Sequence, residues 1–243
     1  MHRLLRPLAF IILLIGLTSA SAQAGRPQLY LSWHAPFGYP GACDTLSMAS
    51  GDTTHVDTLY FSFDPGHHDD TFLALSATLT LRTAEGDTLN PYWRSVKQGE
   101  VRIGPRNPRV QFNDSGEWPY PSPWAVAGIG QSAYDCGRTT ARLRMVYAVG
   151  PPQGAPVDSG RTYTIARALF RHPAAGIPNA MQPMCMEWTV STFAYSNFEP
   201  EEDVSEGSHR WVSLNSLGGK VCLDYLKSVR QAPAVWDPRK KKK

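Results

Sequence analysis

The chain has 243 residues, 42% hydrophobic and 19% charged. That is enough for one large domain with its own core, and too apolar for a disordered or fibrous protein. The net charge of +3 sits at the ends: without residues 1–24 and Lys240–Lys243, 18 basic residues face 21 acidic ones. A faintly acidic body argues against a nucleic-acid binder, which works by neutralising phosphates.

Residues 1–24 read as a signal peptide. Arg3 and Arg6 supply a positive start, Leu8–Leu17 an apolar run too short to span a bilayer, and Ala22-Gln23-Ala24 a cleavage site. The mature protein is expected to be exported, secreted or periplasmic after a cut near Ala24, and not membrane-spanning. In that oxidising setting Cys43, Cys136, Cys185 and Cys222 are read as disulfide partners. Four cysteines allow three pairings and the sequence does not choose among them. Cys185–Cys222 with Cys43–Cys136 is the expectation, because Cys185 and Cys222 lie in strand-like segments of one region.

Period-2 patterns dominate from there. Strands are predicted at Leu29–Trp33, Thr58–Asp64 and Leu73–Arg82, the last alternating Leu73, Leu75, Ala77, Leu79 and Leu81 with smaller or polar residues. Further strands are predicted at Val101–Ile103, Val110–Phe112, Ala125–Ile129, Arg142–Val149, Arg161–Arg171, Glu187–Phe193, Arg210–Leu214 and Lys220–Leu226. Residues 104–124, with five prolines, are expected to be largely ordered loop. Val221–Arg230 has room for one short helical turn at most. The turn Asp158-Ser159-Gly160 before Tyr163 resembles a tyrosine corner, although its spacing is one residue off the usual device. Many short strands, little helix and no internal repeat predict an all-β chain. The expected fold is a single antiparallel β-sandwich over residues 25–230, jelly-roll or Ig/cohesin-like, followed by a flexible basic tail over residues 231–243.

Three constellations carry candidate chemistry. In Trp118-Pro119-Tyr120-Pro121-Ser122-Pro123-Trp124 the prolines hold an extended path. Trp118, Tyr120 and Trp124 would form a row of rings able to stack on a sugar, extended by Tyr92 and Trp93. The competing reading is that these rings cover an open end of the sandwich. Asp64, His67, His68, Asp69 and Asp70 gather five potential metal ligands in seven residues, suited to calcium through oxygen or to zinc or copper through imidazole. They match no closed zinc or EF-hand spacing, so a solvated turn competes. Met181, Met184, Cys185 and Met186 offer soft ligands for copper, against a plain role as core filler.

Catalytic signatures are sparse. Gly130-Gln131-Ser132-Ala133-Tyr134 lacks the second glycine of a nucleophile elbow, and there is no HExxH, phosphate loop or dinucleotide fingerprint. Glu117 and Glu187, each beside a tryptophan, are the acids to test for glycoside hydrolysis. The pattern resembles exported carbohydrate-binding modules and cohesin-like domains at the level of fold alone. The leading expectation is a non-enzymatic exported sandwich that binds a glycan or protein partner through aromatic loops, with no cofactor unless calcium. The alternatives are an extracellular polysaccharide hydrolase with a carboxylate pair and a purely structural surface component.

Overall fold

The computed structural model describes residues 27–66, 71–83, 88–90, 92–93, 108–113, 118–123, 128–149, 154–176, 181–196, 198–202, 210–216, 219 and 222–224. The expected signal peptide, the strand at Val101–Ile103 and the basic tail lie outside these residues.

Among the described residues twelve strands run in chain order: β1 Gln28–Trp33, β2 Thr45–Leu46, β3 Val56–Asp64, β4 Thr71–Thr83, β5 Arg109–Phe112, β6 Gly128–Cys136, β7 Thr140–Val149, β8 Ala155–Pro156, β9 Tyr163–Arg171, β10 Met184–Tyr195, β11 Phe198–Glu202 and β12 Trp211–Leu214. A small sheet has the order β1-β3-β9-β5. A large one follows β2-β12-β10-β4-β7-β6, with β11 beside β10 and β8 beside β4. Every pairing is antiparallel except β12 with β2. This is the β-sandwich that the alternation predicts.

The sheets meet face to face through aromatic rings. Phe61 of β3 packs edge-on against Trp188 of β10 at 5.2 Å, and Phe63 lies 5.0 Å from Phe72 and 5.5 Å from Phe193. Alternation places Leu75, Ala77, Leu79 and Leu81 of β4 and Leu143, Met145 and Tyr147 of β7 in the core, while Arg142 and Arg144 stay exposed. The Trp33 indole N–H donates to the Ser213 carbonyl at 3.1 Å and ties the sheets at one end. At the entry to β9 the Tyr163 hydroxyl accepts from the Asp158 N–H at 2.8 Å, so the corner forms despite its altered spacing.

Several expectations need correction. Within Lys220–Leu226 the described residues Cys222–Asp224 form a helical turn, not a strand. The strand expected at Ala125–Ile129 is β6, which runs from Gly128 to Cys136 and includes Gly130–Tyr134. Faces of β9 divide poorly in sequence because of a bulge: Phe61 faces Ala166 but Ser62 faces Thr164, leaving Ile165 extra. The parity of side chains flips there, so Tyr163 and Ile165 are buried together with Ala166, Ala168 and Phe170.

The Cys185–Cys222 disulfide forms, but Cys43 and Cys136 are free thiols. Cys43 precedes β2 and Cys136 ends β6, the two extremes of the large sheet. Five strand spacings, about 24 Å along a sheet, far exceed the reach of a disulfide. Burial, above all, raises the Cys43 thiol above its ordinary range, which keeps it protonated and unreactive.

Candidate functional site

The outer face of the small sheet carries a cluster of rings. One register row crosses it through Ser32, Tyr60, Arg167 and Gln111, contributed by β1, β3, β9 and β5. On β3, Leu59, Phe61 and Phe63 point into the core, so Tyr60 takes the opposite face. Segment 118–123 lies along this face as a strap. The Thr164 N–H, displaced by the bulge, donates to the Pro121 carbonyl at 2.8 Å. The Ser122 hydroxyl donates to the Asn113 carbonyl at 3.0 Å, and the buried Asn113 amide donates to the Thr164 carbonyl at 3.1 Å. Proline's fixed φ and missing donor suit this path, where the Pro121 carbonyl and the Ser122 hydroxyl make the bonds.

The strap sets its aromatics on those of the sheet. Tyr120 meets Tyr60 edge-on at 5.5 Å and Tyr39, from the loop after β1, at 5.0 Å. Trp118 meets Tyr60 at 6.4 Å. The Arg167 guanidinium lies 4.5 Å over the Trp118 ring, held in place as its Nε donates to Gln111 Oε1 at 2.8 Å. Nearby on β1, Tyr30 stacks on Phe37 at 4.3 Å. Tyr60 is buried, whereas Trp118, Tyr120, Tyr39, Tyr30 and Phe37 are half-buried. Burial raises the Tyr120 hydroxyl above its usual range, so it remains a neutral donor. Chemically the face offers aromatic surface, a phenol or two at its rim and one guanidinium.

Trp118 and Tyr120 both meet Tyr60, on a sheet face rather than at an open end. Trp124 lies outside the described residues. Tyr92 and Trp93 do not extend the surface: they are 9% and 1% exposed. Trp93 packs 6.1 Å from Phe170, and the Tyr92 hydroxyl donates to the Arg171 carbonyl at 2.5 Å, so both close one end of the core. Tyr60 and Arg167 went unnoticed in the sequence because they approach Trp118 only through strand pairing, and Tyr39 because a loop carries it to Tyr120.

Of the predicted metal run, Asp64 accepts from the Gly66 N–H at 2.8 Å in a tight turn; His67, His68, Asp69 and Asp70 lie outside the described residues. The copper reading is corrected, since Cys185 is in the disulfide and Met184 and Met186 are fully buried in the core. Glu117 lies outside the described residues. Glu187 is on β10, buried at 5% exposure, with Oε1 3.2 Å from Arg210. Burial raises its carboxyl above the ordinary range, opposed by Arg210 and Arg82. Its neighbours Met186 and Trp188 enter the core, so Glu187 faces outward from the large sheet, on the opposite side of the sandwich from Trp118.

No family model matches the sequence, and no curated protein matches it at a significant level. Among solved structures, a cohesin module of a family 33 glycoside hydrolase from Clostridium perfringens ATCC13124 is similar over 79% of this chain and 96% of that module. Its identity is 6% and its TM-score 0.38, too distant for the likeness to carry an argument; the sandwich rests on the strand topology above. No helix among the described residues is long and apolar enough to cross a membrane.

Proposed function

We propose that this chain is an exported, non-enzymatic binding module that takes a glycan on the aromatic outer face of its small sheet. The observation that carries the reading is the half-buried Trp118 ring, clamped between Tyr60 and Arg167 with Tyr120 and Tyr39 beside it. A sugar ring presents C–H groups to an aromatic face and hydroxyls at its edge. Rings already fixed by a proline strap lose little freedom on binding. Export rests on the N-terminal segment of the sequence. Glu187, on the far side of the sandwich, is out of reach of a sugar docked at Trp118 and would take no part in hydrolysis at this face.

A thermal-shift screen against soluble polysaccharides tests this directly. A saccharide at 100 times its Kd should stabilise by about 2.7 kcal/mol, a rise of a few degrees for a domain of this size. Trp118→Ala should abolish the shift and leave the circular dichroism intact. No shift with any glycan class, or a shift retained in Trp118→Ala, contradicts the reading and points to a protein partner or a structural role.

A further inference from the structure

Three of the seven histidines in the sequence fall within the described residues, and all three converge on one carboxylate. His34 follows β1, His55 precedes β3, and His172 follows β9. Because β1, β3 and β9 are antiparallel neighbours, the end of β1, the start of β3 and the end of β9 share one rim of the sandwich. Asp57, second residue of β3, lies at their centre. His172 Nε2 is 2.6 Å from Asp57 Oδ2, His55 Nε2 is 3.4 Å from Oδ1, and His34 Nδ1 is 3.9 Å from Oδ1. The rings of His55 and His172 stand 4.4 Å apart.

The arrangement is held by the backbone. The His172 N–H donates to the His55 carbonyl at 3.2 Å and the His34 N–H to the Thr58 carbonyl at 2.8 Å. His34 itself sits at φ 67°, the left-handed region that non-glycine residues rarely adopt. Asp57 and His172 are 4% and 7% exposed. A carboxylate taken out of water needs a cation beside it, yet all three ion-pair partners of Asp57 among the described residues are imidazoles rather than Lys or Arg. Nδ1 of His172, also buried, has no hydrogen-bond partner.

We propose that His55, Asp57 and His172, with His34 as fourth donor, form a binding site for a divalent transition-metal ion of the zinc class. The donor atoms of His55, Asp57 and His172 lie within 4.8 Å of one another. Imidazole with carboxylate suits zinc and copper and not calcium, which takes oxygen ligands. Bonds of 2.0–2.1 Å in a tetrahedron set donors roughly 3.3 Å apart. The His55–Asp57 separation already matches that value and the His172–Asp57 contact must open, while the exposed His34 ring, 3.9 Å from Asp57 but outside the compact group of three, must swing in to ligate. A bound ion would place a fixed positive charge beside the buried Asp57 carboxylate.

The test is calorimetric titration of zinc chloride into the untagged, chelator-stripped chain. One equivalent should bind. His55→Ala should lower the affinity roughly tenfold or more and His34→Ala by less. The paired variant His67→Ala/His68→Ala should leave both stoichiometry and affinity unchanged. His34 and His55 are exposed, so their variants should keep the wild-type circular dichroism and isolate ligation from folding. No heat from the wild type, unchanged affinity in His55→Ala, or loss of binding in the His67/His68 variant would each overturn the proposal.

Discussion

The ring of Phe112 occupies the space that a side chain at residue 130 would need. Gly130 pairs with Tyr147 on β7, and Phe112, from the opposite sheet, packs 5.4 Å from the same tyrosine. A Cβ built on Gly130 would overlap three atoms of the Phe112 ring, the nearest being Cγ at its root, so the whole ring would have to shift. Gly130→Ala should therefore destabilise the chain by about 1–3 kcal/mol, the usual penalty for overpacking a closed site. Urea unfolding of the variant checks it, and an unchanged midpoint would contradict it. In the sequence the same glycine invites comparison with catalytic loops; its role is to make room for a neighbour 18 residues earlier.

Among the elements, legibility followed the regularity of alternation. β4 and β7 each keep one apolar face for eight residues or more, and both are recognisable without a structure. β9 is also recognisable, but its bulge at Ile165 hides which face is inside. β6 is nearly lost, because Gly128-Ile129-Gly130-Gln131-Ser132 has small residues where core residues belong and Ile129 is 69% exposed. β2 and β8 have two residues each, too few for any period to show. On β10, Glu187 provides a pH test. Its carboxyl is raised by burial, so its favourable contribution to folding is complete below the ordinary carboxylate value of about 4.3. That contribution is lost as pH rises through the higher folded value. Relative to Glu187→Gln, the wild type should lose melting temperature from about pH 4 toward neutrality. Parallel profiles, or a wild type that gains over that window, would contradict this account of Glu187.

For the whole molecule, the disulfide and the strap act on different sheets. Cys185–Cys222 closes a separation of 37 residues, worth about 4 kcal/mol in the chain-entropy model, and fastens the C-terminal segment to the large sheet. The proline strap fastens to the small sheet by hydrogen bonds and ring contacts alone. Fold class and strap were accessible from the sequence because each depends on local pattern; the Cys185–Cys222 pair formed, although its ground, two strand-like segments, holds for Cys185 and not for Cys222. Neither the full aromatic face nor the cluster about Asp57 was accessible. Tyr60, Trp118 and Arg167, like His34, Asp57 and His172, meet only once neighbouring strands pair in register, and Tyr39 joins the rings through Tyr120.

Hydroxyl-radical footprinting with a stabilising polysaccharide is the measurement that bears most directly on the glycan-binding face. Oxidation of Trp118, Tyr120 and Tyr39 should fall together when the saccharide is present, while that of Trp211 on the large sheet should not change. Unaltered oxidation at Trp118 with protection elsewhere would place binding on another surface and contradict the assignment.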